Sequence, residues 1–163
     1  NVRPMTMKSI FLPGLLLAVV PFSFVGCGDT GLPRSQATIS DQEFSAAVTK
    51  LVSSKDSNFV YCLSSNRKDP TNISLAILLA QDRNVVPASE CTWVSERSGS
   101  FHTQSHVSAT FVEIGGYIRV SNSSSRVKFT RYRSGLDGDM GTCLLERVGG
   151  QWRASECIVG GVS

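Results

Sequence analysis

The sequence is poor in the residues and motifs on which many enzymes depend. It has only two histidines, no G-x-S-x-G nucleophile elbow, and no glycine-rich phosphate loop. No C-x-x-C pair indicates a zinc site. The G-x-S-x-G elbow, the phosphate-binding loop and the C-x-x-C zinc motif are therefore all absent from the sequence. We nominate no catalytic residue, metal ligand or cofactor from the sequence.

No apolar run in the chain is long enough for a comfortable membrane-spanning helix. The longest, Ile10 to Val25, is uncharged but interrupted by two prolines and a glycine, and it is shorter than about 20 residues. It follows Met7-Lys8, and a basic start before a short apolar run is typical of a secretory signal peptide. We therefore interpret residues 1–26 as a signal peptide, with residues 1–4 or 1–6 as non-native upstream sequence.

The apolar run ends in Phe24-Val25-Gly26-Cys27. This stretch resembles the lipobox of bacterial lipoproteins, in which small residues precede a cysteine that is diacylated on sulfur and becomes the new N-terminus. Phe24 departs from the motif, which usually has Leu or another aliphatic residue there. The resemblance covers the first 27 residues and implies a lipid anchor on Cys27. An ordinary secretory signal, with Cys27 left as a disulfide partner, is the alternative.

Lipidation of Cys27 implies a location in the bacterial cell envelope. In a bacterium with two membranes, the resemblance implies that Gly28, and not Asp, after the acylated cysteine releases the protein to the outer membrane, facing the periplasm. Lipidation also leaves an even set of cysteines, which is the expected disulfide pattern of an exported chain. The four remaining cysteines are Cys62, Cys91, Cys143 and Cys157.

Four cysteines allow three connectivities, and we favour Cys62–Cys91 with Cys143–Cys157. The first pair brackets a predicted helix and would fasten it to the sheet. The second pair lies on two arms of a predicted hairpin around Gly149-Gly150. A two-residue turn there sets Cys143 opposite Glu156, whereas a three-residue loop or one bulge sets it opposite Cys157.

The mature chain is close to electrically neutral. Removing residues 1–26 also removes Arg3 and Lys8, so that 16 basic residues fall to 14, against 13 acidic residues, and the formal charge becomes +1. Such a chain lacks the electrostatic footprint of a nucleic-acid-binding protein. We expect no nucleic-acid partner.

Residues 27–39 are predicted to form a lipidated tether, and two helices are predicted after it. Ser40 to Glu43 has the S-x-x-E form of a capping box and predicts a helix over about residues 41–53. Asp69-Pro70 predicts the start of a second helix, with Asp69 as its cap. This helix is expected to end near residues 82–84.

Short, partly alternating segments predict a sheet in the rest of the chain. A strand is predicted over residues 58–64, and hairpin turns are predicted at Gly115-Gly116 and Gly149-Gly150. The layout predicts an α+β domain over residues 40–163, with helices packed on a curved antiparallel sheet. The later predicted strands are Cys91–Glu96, Val107–Glu113, Tyr117–Ser121, Val127–Tyr132, Thr142–Val148 and Trp152–Val159.

This order of elements is similar to that of cystatin-like and nuclear-transport-factor-2-like rolls. The stretch GLDGDMGTCLLERVGGQW also resembles the closing hairpin of many uncharacterised small exported bacterial proteins. The resemblance implies a fold and carries no function with it.

His102 and His106 are the only histidines, and they lie four residues apart in GSFHTQSHVS. On a helix that spacing would allow one metal ion, but the serines and the glycine favour a loop entering a strand. Asp137 and Asp139 are better explained by a hairpin turn than by a calcium loop, because Val148 stands where such a loop needs Glu. We expect these four side chains to lie apart, in surface loops.

Two further groups of side chains have a structural and a functional interpretation. Four basic residues near one strand favour a solvated edge that discourages aggregation over a site for an acidic partner. Four large aromatic residues are expected on the sheet face that covers the first helix, and the alternative is that they line a ligand cavity if the roll is open. The basic residues are Arg126, Lys128, Arg131 and Arg133, and the aromatic residues are Trp93, Tyr117, Tyr132 and Trp152.

The sequence therefore predicts a membrane-anchored lipoprotein that acts as a non-enzymatic binding or assembly module for a protein or small molecule. The alternative is a small envelope enzyme or an enzyme inhibitor built on the same roll.

The lipid anchor predicts a labelling experiment. Cells that make the wild-type protein and take up a fatty-acid analogue should label it, because the Cys27 sulfur is the acylation site. Cells that make Cys27→Ser should not label the protein. Equal labelling of both proteins would contradict the assignment.

Overall fold

The computed structural model describes residues 38–52, 59–135 and 137–162. The predicted signal peptide, Cys27 and the tether up to residue 37 lie outside these ranges. Among the described residues, no helix is long and apolar enough to cross a membrane.

Helix α1, Asp41–Leu51, begins at the predicted capping box. Ser40 Oγ accepts a hydrogen bond from the Glu43 backbone N–H at 3.3 Å, and Glu43 Oε2 accepts one from the Ser40 N–H at 3.2 Å. Apolar residues at helical spacing then form its buried face. These are Phe44, Ala47, Val48 and Leu51.

A β-α-β unit follows α1. Strand β1, Val60–Ser65, leads into helix α2, Asn72–Leu79, which leads into the short strand β2, Val85–Pro87. Because the chain crosses over through α2, β2 lies parallel to β1.

The cap predicted for the second helix is wrong. Thr71 is the N-cap of α2, with its hydroxyl accepting from the Ser74 N–H at 3.1 Å. The Asp69 carboxylate instead accepts from the backbone N–H of Ser89 at 3.0 Å, after β2. Because the Asp69 carboxylate is engaged by Ser89, the Thr71 hydroxyl caps the helix two residues later in the chain.

The remaining strands complete a six-stranded sheet in the order β2-β1-β5-β6-β7-β8. A 3₁₀ turn at Ala88–Glu90 precedes a small two-stranded pair made by β3 and β4. The strand bounds are Cys91–Thr92 for β3, Phe101–His102 for β4, Ala109–Ser121 for β5, Ser124–Ser134 for β6, Asp137–Val148 for β7 and Gln151–Val162 for β8.

The fold is α+β, as predicted, but the sheet is mixed and not wholly antiparallel. Strands β5 to β8 form an antiparallel meander, whereas β1 is parallel to both of its neighbours, β2 and β5. The parallel pairs arise because the chain returns to the same end of the sheet before β2 and again before β5.

Gly115 and Gly116 do not form the predicted hairpin turn. Strand β5 runs through both glycines, and the register with β6 shifts by one residue between Gly115 and Ile118. Gly116 has φ +55°, a left-handed conformation that glycine adopts without strain. The bulge reverses the alternation of side chains, so that Tyr117 and Arg119 point to the face that α1 covers.

Gly149 and Gly150 form the predicted two-residue turn between β7 and β8. Their φ values are +59° and +84°, which suit the tight hairpin turn that glycines favour. Val148 pairs with Gln151, and the register shifts by one residue between Leu144 and Leu145. This bulge sets Cys143 opposite Cys157, one of the two geometries expected from the sequence.

Both disulfides of the favoured connectivity are present. Cys143 and Cys157 are bridged across β7 and β8, with Cα atoms 4.0 Å apart. Cys62 of β1 is bridged to Cys91 at the start of β3, with Cα atoms 6.2 Å apart. Two disulfides indicate an oxidising extracellular or periplasmic compartment.

The packing at Gly141 gives a stability prediction. A Cβ at this position would overlap the Ile158 carbonyl oxygen and lie 2.7 Å from Cζ of Phe129. Since a backbone carbonyl cannot turn aside, Gly141→Ala should lower the free energy of unfolding by about 3 kcal/mol or more in urea titrations of the oxidised protein.

Gly160→Ala is the matched control for this variant. A Cβ there lies 4.0 Å from its nearest neighbour, so the free energy of unfolding should change by about 0.5 kcal/mol or less. Equal effects of the two substitutions would contradict the packing around Gly141.

Candidate functional site

An open groove of about 570 Å³ lies along the outward side of α1, between the C-terminal end of α2 and the start of β8. We call it the edge groove, because β8 is the last strand of the sheet. Its lining combines neutral polar, apolar and basic side chains. Helix α1 contributes Gln42, Ser45, Ala46, Thr49 and Lys50, helix α2 contributes Ile77, and Gln81 follows α2. Strand β8 contributes Gln151, Trp152, Arg153 and Ala154.

Helix α1 supplies the floor of the edge groove. Gln42, Ala46 and Thr49 recur at helical spacing and therefore share one side of the helix. Thr49 Oγ1 lies 2.8 Å from Gln81 Oε1, and Ser45 Oγ donates to the carbonyl of Ser74 at 3.3 Å. These contacts fix α1 against α2 on one side of the groove.

Strand β8 supplies the opposite wall. Among the described residues, its only strand partner is β7, so the other edge of β8 is open along the groove. Trp152 and Ala154 pack against the hydrophobic core. The guanidinium of Arg119 lies 5.2 Å from the centre of the Trp152 ring and 5.4 Å from that of Tyr117. Arg119 thus packs against Trp152 and supports this wall of the groove.

Glu43 holds Arg119 in this position. Its side chain is fully buried, and its Oε2 lies 3.1 Å from Arg119 Nη2. The carboxylate also accepts hydrogen bonds from three hydroxyl groups, which belong to the N-cap of α1, to β5 and to β6. The donors are Ser40 Oγ at 2.7 Å, Tyr117 Oη at 3.0 Å and Ser125 Oγ at 2.7 Å.

The surroundings of Glu43 set its protonation state. Burial raises the pKa of this carboxyl, but hydrogen bonds from Ser40, Ser125 and Tyr117 outweigh burial and hold the pKa below its ordinary value. Burial and the hydrogen bond to Glu43 raise the pKa of Tyr117. Glu43 is therefore an ionised carboxylate that pairs with Arg119 at neutral pH.

The edge groove has a positive rim. Lys50 in the last turn of α1 and Arg153 of β8 both line it. Among its lining residues, all of which belong to the described part of the chain, there is no carboxylate. The electrostatic environment therefore favours an acidic ligand.

The two histidines lie in and beside the small β3–β4 pair. His102 is in strand β4, which corrects the expectation of a loop, and its Nδ1 lies 2.8 Å from Ser105 Oγ. Its Nε2 lies 3.7 Å from a carboxylate oxygen of Glu90. The His106 ring packs 5.3 Å from Phe101. Within the described ranges, no group of three or more His, Cys, Asp or Glu residues is placed to hold a metal ion.

Asp137 and Asp139 are not in the predicted turn but in strand β7. The chain reverses just before them, at Gly135, where φ is +45°. Alternate residues of a strand share a face, so both carboxylates line one cleft of about 340 Å³, contrary to the expectation that they lie apart. Arg131 donates to Asp139 from Nε at 2.8 Å, and this hydrogen bond holds the pKa of Asp139 below its ordinary value.

The four basic residues do not form a solvated edge, because β6 is an interior strand between β5 and β7. Arg126 and Lys128 lie on the exposed outer face. Arg131 and Arg133 lie on the helix side, where Arg133 Nε is 3.8 Å from Asp137. The alternation of β6 divides the group between two faces.

The aromatic residues are also divided between the faces. Tyr117 and Trp152 lie on the face that covers α1, as expected. Trp93 and Tyr132 pack on each other with ring centres 5.2 Å apart, and Tyr132 donates to the Val94 carbonyl. Tyr132 follows the outward-facing parity of β6, so the expectation is wrong for this pair.

Sequence reasoning missed the long-range role of Glu43 and the participation of Arg119. The capping box identified Glu43 as a local partner of Ser40, and that hydrogen bond is present. Its contacts with Tyr117 and Arg119 span more than 70 residues of sequence, as their separations of 74 and 76 residues show. The glycine pair Gly115-Gly116 was the available signal, because glycine inside a strand pattern also marks a bulge.

The Glu43 network predicts a pH-dependent stability. Glu43→Gln should lower the free energy of unfolding at neutral pH by about 1.5–3 kcal/mol, because hydrogen bonds to a charged group are lost. The loss is limited because Arg119 is 39% exposed and can be hydrated. In the wild-type protein the contribution of Glu43 is complete above its unfolded pKa, about 4.3, and is lost as pH falls through the lower folded pKa.

Urea titrations at several pH values test this prediction. The difference between wild type and Glu43→Gln should shrink below about pH 4. Glu146→Gln, which removes an exposed carboxylate from β7, is the control and should have little effect. A Glu43→Gln deficit that stays constant into the acid range would contradict the role of the charge.

No protein-family model matches the sequence, and no curated protein or solved structure matches it. The function is therefore inferred from the sequence and the geometry of this chain.

Proposed function

We propose that the protein is a lipid-anchored, non-enzymatic binding module of the bacterial cell envelope, and that a partner protein docks in the edge groove. Lipid on Cys27 holds the domain at the membrane, on the periplasmic side of the outer membrane if the source has two membranes. The lipobox resemblance supports the anchor, and the two disulfides support export.

The observation that carries the binding function is the construction of the edge groove. Its volume of about 570 Å³ lies within the range of pockets that bind ligands in proteins. The groove has a large aromatic side chain, Trp152, on one wall and small or polar side chains on its floor. Aromatic anchors of this kind are enriched where proteins bind one another.

The wall of the groove is also preorganised. Trp152 rests on Arg119, and Arg119 is held by the buried Glu43 carboxylate. A partner that contacts Trp152 therefore meets a side chain whose position is already fixed, which reduces the ordering that binding requires.

Site-specific photocrosslinking in the source bacterium tests the proposal. A photoreactive residue in place of Gln42, an exposed residue of the groove, should form an adduct with one discrete partner protein. The substitution Ala46→Trp in the same chain should abolish this adduct, because it fills the floor of the groove. Thr130→Trp, on the exposed outer face of β6, is the control and should leave the adduct unchanged.

The same experiment separates the possible outcomes. An adduct that survives Ala46→Trp, or that forms only from a photoreactive residue at Thr130, would place the binding surface elsewhere. Retention of the disulfides and of the unfolding midpoint in Ala46→Trp shows that loss of the adduct does not reflect misfolding.

The identity of the partner distinguishes a binding or assembly module from an enzyme inhibitor. If the crosslinked partner is an enzyme whose turnover falls when the purified protein is added, the inhibitor function applies. If its turnover is unchanged, the binding or assembly function applies. In the Cys27→Ser variant, partner capture should continue but should no longer bring the partner to the membrane fraction.

A further inference from the structure

We infer that the edge groove captures an extended, acidic segment of the partner protein, which adds to the sheet as a further strand beside β8. This inference rests on the proposed function, because it names the kind of segment that the groove takes. Three features of the groove support it, namely the hydrogen-bonding register of β8, the regular stretch of its open edge, and the charge of the lining residues.

The register shows which backbone groups of β8 face the groove. Val148 and Gln151 flank a two-residue turn, so they form a hydrogen-bonded pair. Antiparallel pairs alternate, which makes Arg147–Trp152 and Leu145–Ala154 non-hydrogen-bonded pairs. The N–H and C=O groups of Trp152 and Ala154 therefore point away from β7, toward the open edge.

The open edge is regular where it borders the groove, and a bulge directly beyond Ala154 separates this part from the rest of the strand. Residues 151–154 pair in unbroken register with residues 145–148 of β7, and the register shifts only after Ala154. The four residues in regular register are the four that line the groove. At about 3.3 Å per residue, this edge accommodates roughly 13 Å of added strand.

An extended segment in this position fits the surroundings of the edge. Side chains of a strand alternate between two faces, so alternate residues of the segment would point toward the floor made by α1. Ala46 is small and Thr49 is polar there, and Trp152 offers apolar contact. Addition of a strand to an open edge is a general mode of peptide recognition, in which the backbone supplies affinity and the flanking side chains supply specificity.

The charge of the groove selects an acidic segment. Lys50 belongs to the α1 floor and Arg153 to the β8 wall, and no carboxylate is present among the described residues that line the groove. A Glu or Asp in the added strand would find a cation on either side, whereas a Lys or Arg would meet like charge.

Selection from a displayed library of random linear peptides, followed by binding measurements, tests the inference. The selected peptides should be rich in Asp or Glu and in residues that favour strands. Each is then synthesised and titrated into the oxidised, purified protein. The double variant Lys50→Glu with Arg153→Glu should bind it at least about tenfold more weakly. The matched control, Arg126→Glu with Lys128→Glu, makes the same charge change on the outer face and should leave affinity unchanged.

Amide hydrogen exchange distinguishes strand addition from other binding in the groove. Saturating peptide should slow exchange at the Trp152 and Ala154 amides by about tenfold or more, because these N–H groups gain acceptors. The Gln151 and Arg153 amides, which face β7, should change much less. A peptide with N-methylated backbone positions should lose this protection and its affinity.

Three results would overturn the inference. The first is selection of basic or neutral peptides whose binding ignores the double variant. The second is binding without slower exchange at Trp152 and Ala154. The third is protection of these amides by raising the protein concentration alone, which would make a second copy of the chain the occupant. Partner adducts at Gln42 combined with any of these results would leave the proposed function intact, whereas absence of the adduct would remove both.

Discussion

The buried carboxylate of Glu43 is the constraint on which the arrangement of this domain depends. A carboxylate without access to water is tolerated only when it is paired and hydrogen-bonded. Glu43 meets that requirement with donors from the start of α1, from β5 and from β6. The helix can therefore lie on the sheet only in the position that brings these donors together. The bulge at Gly115-Gly116 belongs to the same requirement, because it turns Tyr117 and Arg119 to the helix side.

The same network extends from the core to the surface. The Arg119 side chain is partly exposed to solvent. Its guanidinium pairs with Glu43 and also packs on the rings of Tyr117 and Trp152. Arg119 thus connects the buried Glu43 carboxylate to Trp152 in the wall of the edge groove. On the other side of α1, hydrogen bonds from Thr49 and Ser45 hold α2. The groove is therefore the space between two walls that are fixed independently to one helix.

Features that depend on nearby residues could be predicted from the sequence, and those that depend on long-range pairing could not. The capping box of α1 and the turn at Gly149-Gly150 are encoded within a few residues. That turn, combined with one bulge, also predicts the strand register in which Cys143 lies opposite Cys157. Gly115-Gly116 has the same composition as the true turn, but its neighbours continue one strand, and only the pairing with β6 decides between a turn and a bulge. The parallel position of β1 and the open edge of β8 likewise depend on strand order, which local patterns do not contain.

The two edge strands of the sheet, β2 and β8, differ in how readily another strand can pair with them. Strand β2 is three residues long and ends in Pro87, which lacks a backbone donor, so this end offers little for another strand to join. Strand β8 is twelve residues long and contains no proline. The bulge after Ala154 and the register shift near Gly160-Gly161 divide its open edge into two regular stretches, residues 151–154 beside α1 and residues 156–159 beyond it. An open strand edge favours aggregation by pairing with other chains. The bulge and the glycine pair both make such pairing along β8 less favourable. Of these two stretches, residues 151–154 are the ones that line the edge groove with its positive rim, and this setting favours a narrow, extended and acidic occupant under the proposed strand addition.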